Sequence, residues 1–269
     1  MATAAMQAGA ETPRPERVVS INLCTDQLAM MLADERQLLS VSDVALDPGS
    51  SAMVDEARNY VINHALAEEV YLMRPDLVLA GTYTARATVS MLRRLGMRVE
   101  LFEPSRSLQD VRQTITRMGE VLHREAEAKA MLAEFDARLA ALRAEVARRP
   151  SAVLYYANGY TTGDQTLAGQ MLLAAGFVNA ATARGYTAGM NMPLEVLAMS
   201  EPELLITGRA YPGASRSEEI LTHPVVEALR QYRQGATMTD TDWVCGTPHI
   251  LRAIEELAEL RKQMTGQGQ

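Results

Sequence analysis

The chain has 269 residues, of which 48% are hydrophobic and 22% charged, proportions that support a sizeable buried core and exclude an intrinsically disordered chain. Its formal charge is −7, and the arginines are scattered rather than gathered into a basic stripe, which argues against nucleic acid as a partner. No apolar run approaches the roughly 18 residues of a membrane span, and the most apolar stretches, such as Leu77 to Gly81, are strand-sized. Met1 to Glu16 is small and polar, lacks the apolar centre of a signal peptide, and reads as a flexible lead-in.

From Arg17 onward, β-rich runs alternate with amphipathic helical stretches, the signature of βα units and mostly parallel sheets. Val18 to Ile21 is a strand, after which Thr25 or Asp26 can cap a helix through Gln27 to Leu32. Further strands are predicted at Leu38 to Val41, Leu77 to Ala80 and Val99 to Phe102. The helix before the last of these places Val89, Leu92 and Leu95 on one face and stops at Gly96. Ser107 to Arg149 contains no proline and only Gly119, so it reads as long helix. Its second half lines up Ala130, Leu132, Phe135, Leu139, Leu142 and Val146 on one buried face. Pro150 ends that helix, and a strand over Ala152 to Ala157 opens a second α/β series.

The second series repeats the first. EEVYLMRPDLVLAG, from Glu68 to Gly81, aligns with EVLAMSEPELLITG, from Glu195 to Gly208. Each carries a glutamate seven residues before a proline, and a glycine six residues after it. A short helix, a proline, an acidic residue and a buried apolar strand are expected in both. The fold class is therefore α/β: two similar lobes with mostly parallel sheets joined by a long rigid helix. The lobes are expected at residues 17–106 and 150–269, with the connecting helical segment at 107–149. A continuous connecting helix predicts only modest hinge motion between them.

Ligands of open α/β sheets sit beyond the carboxyl ends of the strands, which directs attention to the loops there. In the first lobe these are Asn22 to Asp26, which includes Cys24, the stretch from Asp43 to His64, and Gly81 to Arg86, which includes Tyr83. In the second they are Asn158 to Gly163 with Tyr160, Arg184 to Tyr186, and Gly208 to Tyr211 with Arg209; Trp243 is a further candidate. Loop tyrosines and a tryptophan offer flat apolar faces with a polar tip, suited to a macrocycle or catecholate. Arginines 86, 184 and 209 suit an anionic chelate. His64 could ligate a chelated metal, whereas His249 caps the last helix. Four histidines are too few to suggest a site for bare metal ions, and no resident cofactor is expected.

The Val18-to-Asn22 strand and loop, the Glu68-to-Leu79 and Glu195-to-Pro202 segments, and the mid-chain helix together resemble the helical-backbone class of periplasmic substrate-binding proteins. That class includes receptors for ferric siderophores, cobalamin and haem, and the resemblance covers about Arg17 to Leu260. It implies a monomeric periplasmic receptor of an ABC importer that captures a bulky metal chelate or corrinoid between its lobes. Ferric siderophore ranks first among the ligands, corrinoid second and haem third. It also implies that Glu68 and Glu195 meet arginines of the permease when the receptor docks.

An enzyme is the competing class. The chain lacks G-x-S-x-G, a Walker loop, a dinucleotide fingerprint and H-E-x-x-H, which leaves only a cysteine nucleophile at Cys24 with His64. The two cysteines, Cys24 and Cys245, are too few for a disulfide framework or a zinc site. An interlobe disulfide would hinder opening, so two buried free thiols are expected.

Overall fold

The computed structural model describes residues 13–84, 86–144, 146–208, 215–238 and 240–266. The first lobe runs β1 (Val18–Ser20), α1 (Leu23–Leu32), β2 (Leu38–Ser42), α2 (Val54–Ala57), β3 (Val61–Asn63), α3 (Ala67–Leu72), β4 (Leu77–Gly81), α4 (Arg86–Arg94) and β5 (Val99–Phe102). Its five strands form one sheet in the order β3-β2-β1-β4-β5, with every pairing parallel. Two helices follow, α5 (Leu108–Leu122) and α6 (Glu125–Ala144). The second lobe runs β6 (Ser151–Tyr155), β7 (Tyr160–Thr162), α7 (Leu167–Ala174), β8 (Val178–Asn179), α8 (Ala180–Ala183), β9 (Gly189–Asn191), α9 (Leu194–Ser200), β10 (Leu204–Gly208), α10 (Pro224–Tyr232), β11 (Gln234–Met238) and α11 (Ile250–Gly266). Its sheet has the order β11-β10-β6-β7-β9, with β8 paired to the start of β6. Only β7 runs against its neighbours β6 and β9.

The repeated motif has the same local structure in both lobes. In each, a short helix (α3 or α9) leads through the proline into a strand (β4 or β10) that pairs with the lobe's first strand, β1 or β6. The acidic residue after the proline has a shared task. Asp76 accepts hydrogen bonds from the backbone N–H groups of Glu16 (2.7 Å) and Arg17 (3.0 Å), just ahead of β1. Glu203 accepts from the N–H of Ser151 (3.0 Å) at the start of β6. Each carboxylate satisfies backbone donors that the sheet leaves open at its entry edge. Residues 13–16 are consequently docked rather than flexible: Pro15 is buried and its carbonyl accepts from the Gln37 amide, while Arg14 pairs with Asp34.

Several local expectations need correction. Helix α1 starts at Leu23 and is capped by Asn22, whose side chain accepts from the Cys24 N–H. Thr25 instead donates to the Asn22 carbonyl, and Asp26 is buried. Helix α4 ends at Arg94, so Leu95 lies beyond the buried face and is exposed. The stretch from Asp43 to His64 is not plain loop, because it contains a 3-10 turn (Asp43–Leu46), α2 and β3. Residues 160–162, expected as loop, form strand β7, turned back by Asn158 and Gly159 at positive φ of 55° and 70°.

The long helix is also divided. His123 adopts the left-handed conformation (φ 57°) and closes α5 with its N–H on Glu120 O and that of Arg124 on Gly119 O, after which α6 folds back along α5. A Cβ on Gly119 would lie 2.5 Å from that of Ala128, so the missing side chain is what permits the close approach. Helix α6 is 20 residues and so about 30 Å long, and α5, packed on α1 of the first lobe and on α7 of the second, shares the connection with it. Phe135 and Leu139 form its buried stripe together with Ala128, whereas Ala130 faces solvent.

Side chains alternate between two sides of each sheet. Val18, Leu77 and Leu79 of the first lobe join Ala152, Leu154, Leu204 and Ile206 of the second in one core that also holds Ile115, Met118, Phe135 and Leu139. Val19, Val78 and Ala80 face a separate outer core of the first lobe, and Val153, Tyr155 and Leu205 face one of the second. The lobes therefore share a single apolar core through α5, α6 and α11.

Cys24 and Cys245 form a disulfide, with Cα atoms 5.1 Å apart across a sequence separation of 221 residues. This overturns the expectation of two free thiols. The reasoning that a bridge would hinder opening assumed that Cys245 moves with the second lobe. Instead, the segment around Cys245 is pressed onto the first lobe: a Cβ on Gly246 would collide with the Ser105 side chain and lie 3.2 Å from Val111. The bond staples the lead-in of α11 to the head of α1. It also removes the proposed cysteine nucleophile, since Cys24 has no thiol to ionise.

Unfolded, unreduced protein should titrate with no free thiol, and with two after reduction. The Cys24→Ser/Cys245→Ser variant should lose about 2–4 kcal/mol of stability in urea unfolding, as should the reduced wild type. An unchanged midpoint would show that the staple contributes nothing.

Asp26 gives a pH signature. It is fully buried, and desolvation raises its pKa from 3.8 to about 6 despite hydrogen bonds from Ser20 and Ser42. The fold thus favours the protonated form. That contribution is complete below pH 3.8 and is lost as pH rises through about 6. Asp26→Asn should therefore stabilise the protein by roughly 1–3 kcal/mol at pH 7.5 and by almost nothing below about pH 4, read as denaturant midpoints at both pH values. Equal effects at the two pH values would contradict the assignment.

Candidate functional site

The carboxyl ends of the central strands of the two lobes converge on one segment. From the first lobe, β1 ends at Ser20 and delivers Asn22 and Cys24. From the second, β6 ends at Tyr155 and delivers Tyr156, whose ring lies 5.4 Å from that of Trp243 at an interplanar angle of 47°. Trp243 and Cys245 are two residues apart, so Tyr156 meets the segment at one end and Cys24 at the other. The strand ends of both lobes thus face a common cleft.

At its floor lies a cavity of about 110 Å³. Asn22 and Cys24 line it from the end of β1, Tyr83 from the end of β4, Phe102 from the end of β5, and Val244 and Gly246 from the segment before α11. It is much smaller than the roughly 300–1,000 Å³ of a site that engulfs an organic ligand. A large ligand does not fit within it, but wider surface grooves of about 430 and 540 Å³ adjoin it, one along Glu103, Arg106 and Arg117 and the other along Gly81, Arg86 and Arg93. Asn22 is fixed twice: its side-chain oxygen accepts from the Cys24 N–H at 3.1 Å, and a Cβ on Gly81 would lie 3.0 Å from its amide nitrogen. Gly81 therefore keeps β4 close enough to β1 for both loops to share the floor.

The rim above is aromatic and mixed in charge. Tyr83 is 72% exposed, with its hydroxyl 3.4 Å from the Arg106 guanidinium. Thr82 donates to Glu103 at 3.0 Å. Beneath the rim runs a buried polar network, in which the Asn63 amide donates to Ser20 O (2.9 Å) and Ser40 Oγ (2.8 Å), and Ser42 donates to Asp26. These bonds tie the ends of β1, β2 and β3 together and hold the first-lobe loops rigid.

The candidates read from the sequence fall into distinct places. Asn22, Cys24 and Tyr83 line the cavity, and Trp243 stands beside it against Tyr156. Arg86 is exposed at the start of α4, in a surface groove with Arg93 and Arg94 rather than in the cavity. His64 sits beyond β3, the edge strand farthest from β5, and is held by Glu69, which accepts from its N–H at 2.8 Å and lies 3.2 Å from Nδ1. Tyr160 is 41% exposed at the cleft-side start of β7, its ring filling the space that a side chain at Gly189 would need. Tyr186 is not brought to the cleft: it packs into the second lobe's outer core near Leu197. Arg209 and Tyr211 lie outside the described residues. His249 precedes α11, its carbonyl accepting from the Arg252 N–H at 2.9 Å, and burial lowers its pKa.

Sequence reasoning missed Tyr156, Phe102, the Glu103–Ser105 turn and Val244. The strand-end rule would have found the first three, had β6 been ended at Tyr155 and the loop after β5 been included. Val244 carries no such signal, because the disulfide is what sets its place.

Glu68 and Glu195 are both exposed, and no hydrogen bond or ion pair engages either carboxylate among the described residues. Each lies in the first turn of a helix that starts at the cleft side of its lobe. Helix α3 follows β3, which runs parallel to the rest of its sheet; α9 follows β9, which two antiparallel steps bring into the direction of β6.

A family model described as periplasmic binding protein matches residues 18–241. The cobalamin-binding protein of Halobacterium salinarum is 29% identical over 257 residues, 93% of this chain and 68% of that one. Among solved structures, the periplasmic heme-binding protein RhuT from Roseiflexus sp. RS-1 in apo form superposes with a TM-score of 0.72 at 21% identity, covering 91% of this chain and 97% of that one. The periplasmic heme-binding protein HutB of Vibrio cholerae gives 0.74 at 18% identity, covering 91% and 98%. The match over most of its length, on two lobes carried by a helical connector, means that the chain belongs to the periplasmic binding protein family, in its helical-backbone class, whose members bind solutes and are not enzymes.

Proposed function

We propose that this protein is the extracytoplasmic receptor of an ABC importer, that it works as a monomer, and that its ligand is a bulky metal chelate, with a corrinoid as first choice. The observation that carries the reading is the cleft itself: strand ends of two lobes meet one segment over a shallow floor, with Tyr83 exposed at its edge and the Tyr156–Trp243 ring pair half buried beside it against the shared core. Aromatic faces suit a broad ring system held by stacking and a few hydrogen bonds. The disulfide accords with an oxidising, extracytoplasmic setting.

Two considerations order the ligands. The relative named as a cobalamin-binding protein is similar along 93% of this chain, which favours a corrinoid over the ferric siderophore that the loop arginines first suggested. The heme-binding proteins are similar in fold, and His64 is engaged by Glu69 rather than turned to the cavity, which ranks haem below both. A ferric siderophore remains the second reading, because Arg106 at the rim beside Tyr83 offers a guanidinium to an anionic chelate. Docking on the permease falls to Glu68 and Glu195, two uncommitted carboxylates on opposite lobes, suited to charge-assisted pairing with arginines.

Trp243 is the single tryptophan, so its emission reports on the cleft directly. Titration with cobalamin, haem, a ferric hydroxamate and a ferric catecholate should give the tightest saturable response with cobalamin. Tyr83→Ala should weaken it by about tenfold. A silent response to all four would sink the metal-chelate reading. Glu68→Ala/Glu195→Ala should abolish uptake in cells while leaving the titration unchanged; weakened ligand binding would instead put those glutamates in the cleft.

A further inference from the structure

Each docking glutamate stands in an exposed apolar setting, and the setting is the same on both lobes. Taking the glutamate as origin, the residue two before it is Leu66 or Pro193, and both are exposed. The residue four after it is Leu72, 79% exposed, or Met199, 58% exposed. Between them, two after the glutamate, Val70 and Leu197 are fully buried and hold the two helices in the same register against their lobes. Residues four apart share one helix face, so Leu72 and Met199 stand on the faces that carry Glu68 and Glu195.

Single exposed apolar residues are ordinary on protein surfaces and need no explanation. A pair at identical offsets, beside a pair of unengaged carboxylates on two separate lobes, is a different observation. The helix starts point the same way. Leu66 and Pro193 occupy the N-cap positions of α3 and α9, and neither helix has a side-chain cap. A serine, threonine, asparagine or aspartate there would stabilise the helix, so both lobes forgo the same local stabilisation for an exposed apolar group. The neighbouring Glu69 is tied back to His64, whereas Glu68 is left free beside Leu66 and Leu72.

Resting on the docking reading above, we infer that α3 and α9 form one bipartite surface in which Leu66 with Leu72, and Pro193 with Met199, seat in apolar sockets beside the arginines that receive Glu68 and Glu195. The partner it fits is a pair of membrane subunits related by a two-fold axis, since matched patches on two similar lobes present nearly the same feature twice. The carboxylates set orientation and encounter rate, and the apolar groups supply the part of the affinity that salt does not screen.

The test measures binding of ligand-free receptor to the permease–ATPase complex of the importer it serves, held in lipid nanodiscs, at low and high sodium chloride. Leu72→Ser/Met199→Ser should weaken binding at least tenfold at both salt concentrations. Glu68→Ala/Glu195→Ala should weaken it strongly at low salt and far less at high salt. Wild-type affinity in the Leu72→Ser/Met199→Ser variant, with the glutamate pair still required, would overturn the apolar sockets and leave the docking reading standing. Wild-type affinity in both variants would remove the docking reading as well. Exposed positions tolerate these changes, and an unchanged urea midpoint verifies that each variant is folded.

Discussion

The core shared by the two sheets is the constraint from which the rest follows. Because side chains alternate along β1, β4, β6 and β10, every second residue of these strands belongs to an interior that neither lobe owns. Spreading the lobes would uncover side chains such as Phe135, Leu139, Ile115 and Met118, each contributing about 1.5–3 kcal/mol through burial. Any spreading of the lobes has to work against that burial, which predicts modest hinge motion, and a ligand entering a cleft so held would lose little affinity to reordering the protein.

Above that core, polar groups do what apolar packing cannot. The Asn63, Ser40, Ser42, Ser20, Thr25 and Asp26 cluster lies where three parallel strands end, and it fixes the loops that follow. Asp26 carries the strain of this arrangement, as a carboxyl group whose ionised form the fold disfavours. It is two residues from Cys24, whose disulfide brings Val244 and Gly246 to the cavity. Core packing sets the distance between the lobes; this network and the staple set the shape of the floor.

How much of this the sequence disclosed depends on the range of the interaction. The Pro75 and Pro202 motifs were legible because helix, proline, acid and strand are local, and their shared spacing revealed the two lobes. The strand-end rule located Asn22, Cys24 and Tyr83 because it depends only on strand direction. The break between α5 and α6 was hidden: His123 takes a positive φ that its residue type does not announce, and the approach of Gly119 to Ala128 involves two helices. Tyr186 looked like a loop aromatic, but it packs against the second lobe's outer core, in a region whose antiparallel strands the repeat did not foretell. The disulfide was least legible, since it joins residues 221 apart through a segment whose lobe assignment by sequence order was misleading.

The two faces of the repeat then diverge in a way that suits what each would meet. Outside, α3 and α9 keep the same register, the same unengaged glutamate and the same proline-to-strand exit. Inside, the lobes differ. The first contributes Asn22, Cys24 and Tyr83 from an all-parallel sheet, whereas the second inserts β7 and sets Tyr156 against Trp243. A two-fold partner asks for the same feature twice, and a small molecule with no such symmetry asks for two different walls. The chain keeps its internal likeness on the surface where the proposed permease pair would use it, and departs from it in the cleft, where a single asymmetric ligand would not.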